Sequence, residues 1–187
     1  MSTSVGRGAR SLLSVAPLVP AGGVDVLLTA FGLLADDRPE LRLEIVGSGP
    51  LGRVFGHHAL YLGIEDRVDF CGALPDAAVR TAVHGCALLV FPHRSGESFD
   101  PSPALVAALD AARPVVATSA AAPPHVLRHR ENGLVVPPDD PIALATSMAE
   151  VLDRASLTVA LASLPWQTSR ELPPHGALHR LWHRVTG

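Results

Sequence analysis

Apolar residues in this chain come in short runs divided by turn residues, and the runs alternate between two periods. "SLLSV" at 11–15 has the length of a strand. Over "VDVLLTAFGLLAD" (24–36), Val24, Leu27, Leu28, Phe31 and Leu34 recur at three- and four-residue steps, which puts them on one face of a helix. "LRLEIV" predicts a second strand ending at Val46. The Gly-Ser-Gly-Pro after it predicts a tight turn, with Pro50 as the first residue of a helix reaching Leu62. "RVDFCG" predicts a third strand, "PDAAVRTAVHGC" a helix and "ALLVFP" a fourth strand. "SPALVAALDAAR" predicts a helix with Ser102 as N-cap and Pro103 at its first position. "PVVAT" follows as a fifth strand, "HVLRH" as a short helix and "GLVVP" as a sixth strand. Asp140 and Pro141 open a helix over "DPIALATSMAEVLDR". Beyond 157 the pattern weakens. "LPPHGALHRLWHRV" reads as a last helix packing back through Leu178, Leu181, Trp182 and Val185.

Strands that alternate with helices in this way imply βαβ units. The expectation is α/β: a single Rossmann-like domain over 11–187, with a six-stranded parallel sheet, helices on both faces and a C-terminal helix. Residues 1–10 are small and polar and are expected to be a disordered tail. Such sheets bind ligands at the carboxyl ends of their strands. The turns after strands one to four therefore carry the candidate chemistry. "AAAPPHVL" (Ala120–Leu127) brings little charge to that edge, where an apolar or weakly polar face for a partner is expected.

Composition narrows this picture. The chain has 187 residues, 48% of them hydrophobic and 18% charged, so it can bury a core. The net charge of −3 supplies no basic field for nucleic acid or for an anionic membrane. No apolar run is long enough to span a bilayer, and "MSTSVGRGAR" is not a signal peptide, so a cytoplasmic location is expected. All 15 basic residues are Arg, which leaves no Lys for a nucleophile, a Schiff base or a phosphate clamp. Cys71 and Cys86 stand far apart and read as reduced thiols. His175, His179 and His183 recur every four residues, but no Cys, Asp or Glu interleaves with them. They read as a solvated helix face, so neither a metal nor a cofactor is expected.

The order of segments resembles the C-terminal, donor-binding domain of the family-four retaining glycosyltransferases, half of a GT-B architecture. The residues that carry it are "SVAPLVPAGGVDVLLTAF", "PELRLEIVGSGP", "LGIEDRVDFCGALP", "LLVFPHRSGESF", "ALDAARPVVAT" and "ENGLVVPPDDPIALATSMAEVLD", with Trp166 beyond them. The resemblance implies a nucleotide-sugar ligand, and an acceptor-binding half that would face this one. It also shows departures. The family's diphosphate-binding Arg and Lys, five residues apart after the first strand, correspond to Pro17 and Gly22 here. One oxyanion-stabilising contact is typically worth about 3–4 kcal/mol in a transition state. Of the family's two glutamates, the first corresponds to Glu97, which would face the donor sugar, and the second falls on Ala107. Asp100, Pro101, Ser102 and Pro103 replace a Gly-rich approach to the phosphates. Both prolines lack an N–H, and Asp100 opposes an anion.

Each remaining candidate has two readings. Gly47, Ser48 and Gly49 could approach a ligand, or simply make a tight turn. Gly72, Ala73 and Leu74 correspond to where the family reads the nucleobase with backbone groups, and an ordinary βα turn explains them equally well. His93, Arg94, Ser95 and Glu97 follow strand four. Arg94 could meet an anion, lie in solvent or pair with Glu97, and Gly22 could require a positive φ. Two functions follow. The chain is a nucleotide-sugar-binding domain that transfers a hexosyl group when an acceptor-binding subunit completes it. Alternatively, it is a pseudo-glycosyltransferase that binds a partner.

Overall fold

The computed structural model of the chain describes residues 11–94 and 102–154. The expected tail at 1–10, Ser95, Glu97, Asp100, Pro101, and the C-terminal helix with Trp166, His175, His179 and His183 lie outside the described residues. Six strands, β1 (Ser11–Val15), β2 (Arg42–Val46), β3 (Val68–Gly72), β4 (Leu88–Phe91), β5 (Val115–Thr118) and β6 (Leu134–Val136), form one parallel sheet in the order β3-β2-β1-β4-β5-β6. The order reverses between β1 and β4, the switch point at whose carboxyl edge open α/β sheets generally bind ligands.

The strands are nearly continuous in apolar residues because both faces are covered. Side chains that alternate along each strand divide between two cores. Leu12, Leu43, Ile45, Leu88, Val90 and Val116 pack under α1 (Val24–Ala35), α2 (Gly52–Tyr61) and α5 (Pro141–Asp153). Leu13, Val46, Leu89, Phe91, Val115 and Ala117 pack under α3 (Asp76–Gly85) and α4 (Pro103–Asp110). On α1 the expected stripe is buried throughout: Val24, Leu27, Leu28, Phe31 and Leu34 all lie in the core. The two Pro-led helices begin where their caps demand. Ser102 Oγ accepts from Leu105 N at 3.1 Å, and Asp140 Oδ1 accepts from Ala143 N at 2.8 Å.

Two expectations need correction. The second helix starts at Gly52 rather than Pro50. Leu51 N is drawn away to donate to Leu18 O at 3.0 Å, so Pro50 stays in the turn. "HVLRH" makes one turn and no helix. Val126 N and Leu127 N both donate to Pro123 O, but Arg128 N donates to Asn132 Oδ1 at 2.7 Å and Asn132 Nδ2 donates to Val126 O at 2.9 Å. That side chain diverts the backbone before a second turn forms. The weakly charged segment Ala120–Leu127 is partly open, with Ala120, Ala121 and Pro123 half-buried. Ala122, Val126 and Leu127 are buried in the core under α4, and the segment shows Pro124 and His125 to solvent.

Candidate functional site

Four turns gather at the carboxyl edge of β1 to β4, and they pack on one another through backbone. The turn after β1 is knitted to the turn after β2. Ala16 N donates to Val46 O at 3.0 Å, and Leu18 N donates to Ser48 O at 2.9 Å. A Cβ at Gly47 would lie 2.0 Å from Ala16 O, and one at Gly49 would lie 2.4 Å from Leu18 O. Glycine at 47 and 49 is thus explained by close backbone packing, while Ser48 remains exposed. Gly47 N also donates to Gly72 O at 2.9 Å, tying in β3. Beyond that bond Gly72 borders open space, Ala73 is exposed, and Leu74 rests against the core under α3 and α4.

The turn after β1 carries Pro17 and Gly22, the two positions at which the resemblance implies cations in related proteins. Pro17 sits exposed on the rim. Residues Pro20–Gly22 form a single 3-10 turn that leads into α1. Gly22 does not hold a positive φ, as the sequence had suggested it could; Gly23 does, at 66°. The restriction on Gly22 is steric. A Cβ there would lie 2.1 Å from Pro17 O, and a Cβ at Gly23 would lie 1.9 Å from Pro92 O. The turn therefore folds down onto the exit of β4, and no side chain fits at either position without moving backbone. Ala107 occupies the middle of α4, half-buried.

Arg94, the next residue but one after Pro92, is not a free cation. Its Nη2 donates to Asp25 Oδ2 at 2.5 Å, its Nη1 to Pro20 O at 3.1 Å and its Nε to Asp139 Oδ1. Its backbone N donates to Ala21 O at 2.9 Å. The structure pairs Arg94 with Asp25 and Asp139, two partners that were not among the readings the sequence left open. The hydrogen bonds it donates, first to Asp25 and then to Asp139, raise the guanidinium's pKa further, so it stays charged. Sequence reasoning missed both carboxylates. Asp25 was readable as an acid in the first turn of α1. Asp139 hid beside Asp140, whose capping role was the legible one.

His93, between them, is partly buried, and burial lowers its pKa. Its Nδ1 has no hydrogen-bond partner among the described residues, and its carbonyl accepts from Thr118 Oγ1 at 2.6 Å. Away from this edge, Cys86 is buried and Cys71 half-buried; burial pushes their thiols up to about 12 and about 11. Burial thus favours the protonated thiol, the weaker nucleophile, at both positions. Among the described residues, no group of three or more His, Cys, Asp or Glu could hold a metal ion.

Comparison with known proteins decides the lineage. The family model described as "Glycosyl transferases group 1" matches residues 9–154. The chain belongs to the group 1 glycosyl transferases. It is 32% identical over 141 residues to an exopolysaccharide phosphotransferase of Streptomyces coelicolor, covering 75% of this chain and 14% of that protein. It is 32% identical over 133 residues to the phosphatidyl-myo-inositol mannosyltransferase of Mycobacterium leprae, covering 71% of this chain and 34% of that one. The chain thus spans about a third or less of the length of these relatives. Its fold is that of GT-B C-terminal Rossmann-like domains. The C-terminal domain of a group 1 glycosyl transferase from Francisella tularensis superposes with a TM-score of 0.75 at 19% identity, covering 86% of this chain and 84% of that one. Anabaena HepE, solved in complex with UDP-glucose, gives 0.75 at 22%, covering 95% and 48%.

Proposed function

We propose that this group 1 glycosyl transferase domain binds a nucleotide-sugar at the carboxyl edge of its sheet. It would take part in hexosyl transfer when an acceptor-binding domain or subunit completes the cleft. The observation that carries the reading is the family match, which spans the whole sheet and all five described helices. The geometry fits it at one end of the ligand. Gly72 and Ala73 offer backbone beside open space, where a nucleobase can be read without a particular side chain. In this proposal Glu97 faces the sugar and Ser95 lies beside it. The diphosphate end is the weak one, because Pro17 and Gly22 supply no cation there, and Ala107 supplies no carboxylate for the ribose. The reading of a fold that has lost its chemistry gains no support from the comparisons. No helix among the described residues is long and apolar enough to cross a membrane, which agrees with the cytoplasmic setting we propose.

The test is calorimetric titration of uridine, guanosine and adenosine diphosphate sugars into the 187-residue chain. About 4 kcal/mol lost with the missing cations moves a micromolar site by roughly three decades, so dissociation constants near millimolar are expected. Absence of saturable binding for every donor, with and without an acceptor-binding chain, overturns the proposal.

A further inference from the structure

Arg94 joins three segments that are remote in sequence. Its side chain and backbone hold Pro20 and Ala21 of the turn after β1, Asp25 of α1, and Asp139 of the loop between β6 and α5. Two features show that this arrangement is held at a local cost. Asp139 has a φ of 57°, a left-handed backbone that a non-glycine residue adopts unfavourably. Asp25 Oδ1 is buried without a hydrogen-bond partner among the described residues, so half of that carboxylate is desolvated and unpaid by any donor. Among the described residues the charges do not balance either: one guanidinium faces two carboxylates. An anion therefore meets a net negative group at the switch point. The guanidinium's planar fork is nevertheless the shape that a phosphate takes up in two parallel hydrogen bonds.

We infer that Arg94 is an ion-pair latch, which a diphosphate ligand opens by replacing Asp25 and Asp139 on its guanidinium. The ligand then gains the cation that the turn after β1 lacks, and the loop carrying Asp139 is released from its left-handed tie. Part of the binding free energy goes into breaking the latch, which weakens the affinity for any diphosphate. The inference rests on the nucleotide-sugar reading for its ligand, while the latch itself depends on these contacts alone.

The experiment titrates inorganic pyrophosphate and UDP-glucose into the full chain, into Asp139→Asn and into Asp139→Asn with Arg94→Gln, while following hydrogen exchange at 137–141. Asn tolerates the left-handed backbone, so the first substitution removes charge and keeps the loop. Asp25→Asn serves the same purpose if Asp139→Asn does not fold. The pyrophosphate affinity of Asp139→Asn is expected to rise about tenfold over the unsubstituted chain. The gain should vanish when Arg94 is also replaced. Ligand binding to the unsubstituted chain should speed exchange at 137–141. An unchanged pyrophosphate affinity in Asp139→Asn, or a gain that survives loss of Arg94, overturns the latch. Should UDP-glucose bind saturably yet ignore both substitutions, the latch fails and the nucleotide-sugar reading stands. Should pyrophosphate respond as expected while UDP-glucose binds no more tightly than pyrophosphate, the latch stands and that reading fails.

Discussion

His93 follows the end of β4 with its Nδ1 buried and without a hydrogen-bond partner among the described residues, and burial lowers its pKa below the ordinary 6.5. The sign of the consequence is fixed. Below 6.5 the unfolded chain takes up a proton that the folded chain resists. His93 therefore contributes stability that is fully present above that pH and is lost as pH falls through 6.5 toward the lower folded value. His93→Gln should flatten this dependence. Urea midpoints measured at pH 5.5 and 7.5 should differ less in the variant; equal differences in both proteins would show that the ring titrates freely. Gly22 offers a second test at this scale. Its Cβ position lies 2.1 Å from Pro17 O, a backbone atom that cannot swing aside. Gly22→Ala is expected to cost about 1–3 kcal/mol, as overpacking does. Restoring a Lys at 22 meets the same obstacle before its charge can act. A Gly22→Ala variant as stable as the unsubstituted chain in urea would mean that the turn relaxes easily.

Among the elements, α1 and α5 lie against the same face of the sheet and are joined in two ways. Phe31 and Met148 are both fully buried in the core they share. Arg38, just beyond α1, holds Asp153 at the end of α5 through both carboxylate oxygens, at 2.8 Å and 2.7 Å. The ion pair has good geometry, but the Asp153 side chain is 58% exposed, where solvent screens the charges. Burial outweighs it. Phe31→Ala should cost about 3–5 kcal/mol through its cavity, whereas Asp153→Asn should cost less than about 1 kcal/mol. Chemical denaturation of the two variants side by side measures this, and comparable losses would place the strength of the α1–α5 contact in its charges.

For the whole molecule, the periodicity of apolar runs was sufficient to specify the sheet. Short runs with both faces covered, joined by helices whose connections are right-handed, leave few arrangements besides the one seen. The Pro-led starts of α4 and α5 were legible because N-capping is local: Ser102 and Asp140 act on backbone three residues away. The same local logic failed at "HVLRH", where helix propensity was overridden by Asn132, and at Pro50, where Leu18 captured the next N–H. In both cases the deciding partner came from outside the segment being read. The site divides along the same line. Sequence alone placed the turns after β1 to β4 at the carboxyl edge, because strand order and length are matters of local pattern; the part given to Pro17, Gly22 and Ala107 came from the family resemblance. Only the tertiary structure decided what the edge does with its one visible Arg94. Asp25 and Asp139 are 69 and 45 residues from it in the chain, and the folding of the sheet, through no local pattern, brings both carboxylates within hydrogen-bond reach of a single guanidinium.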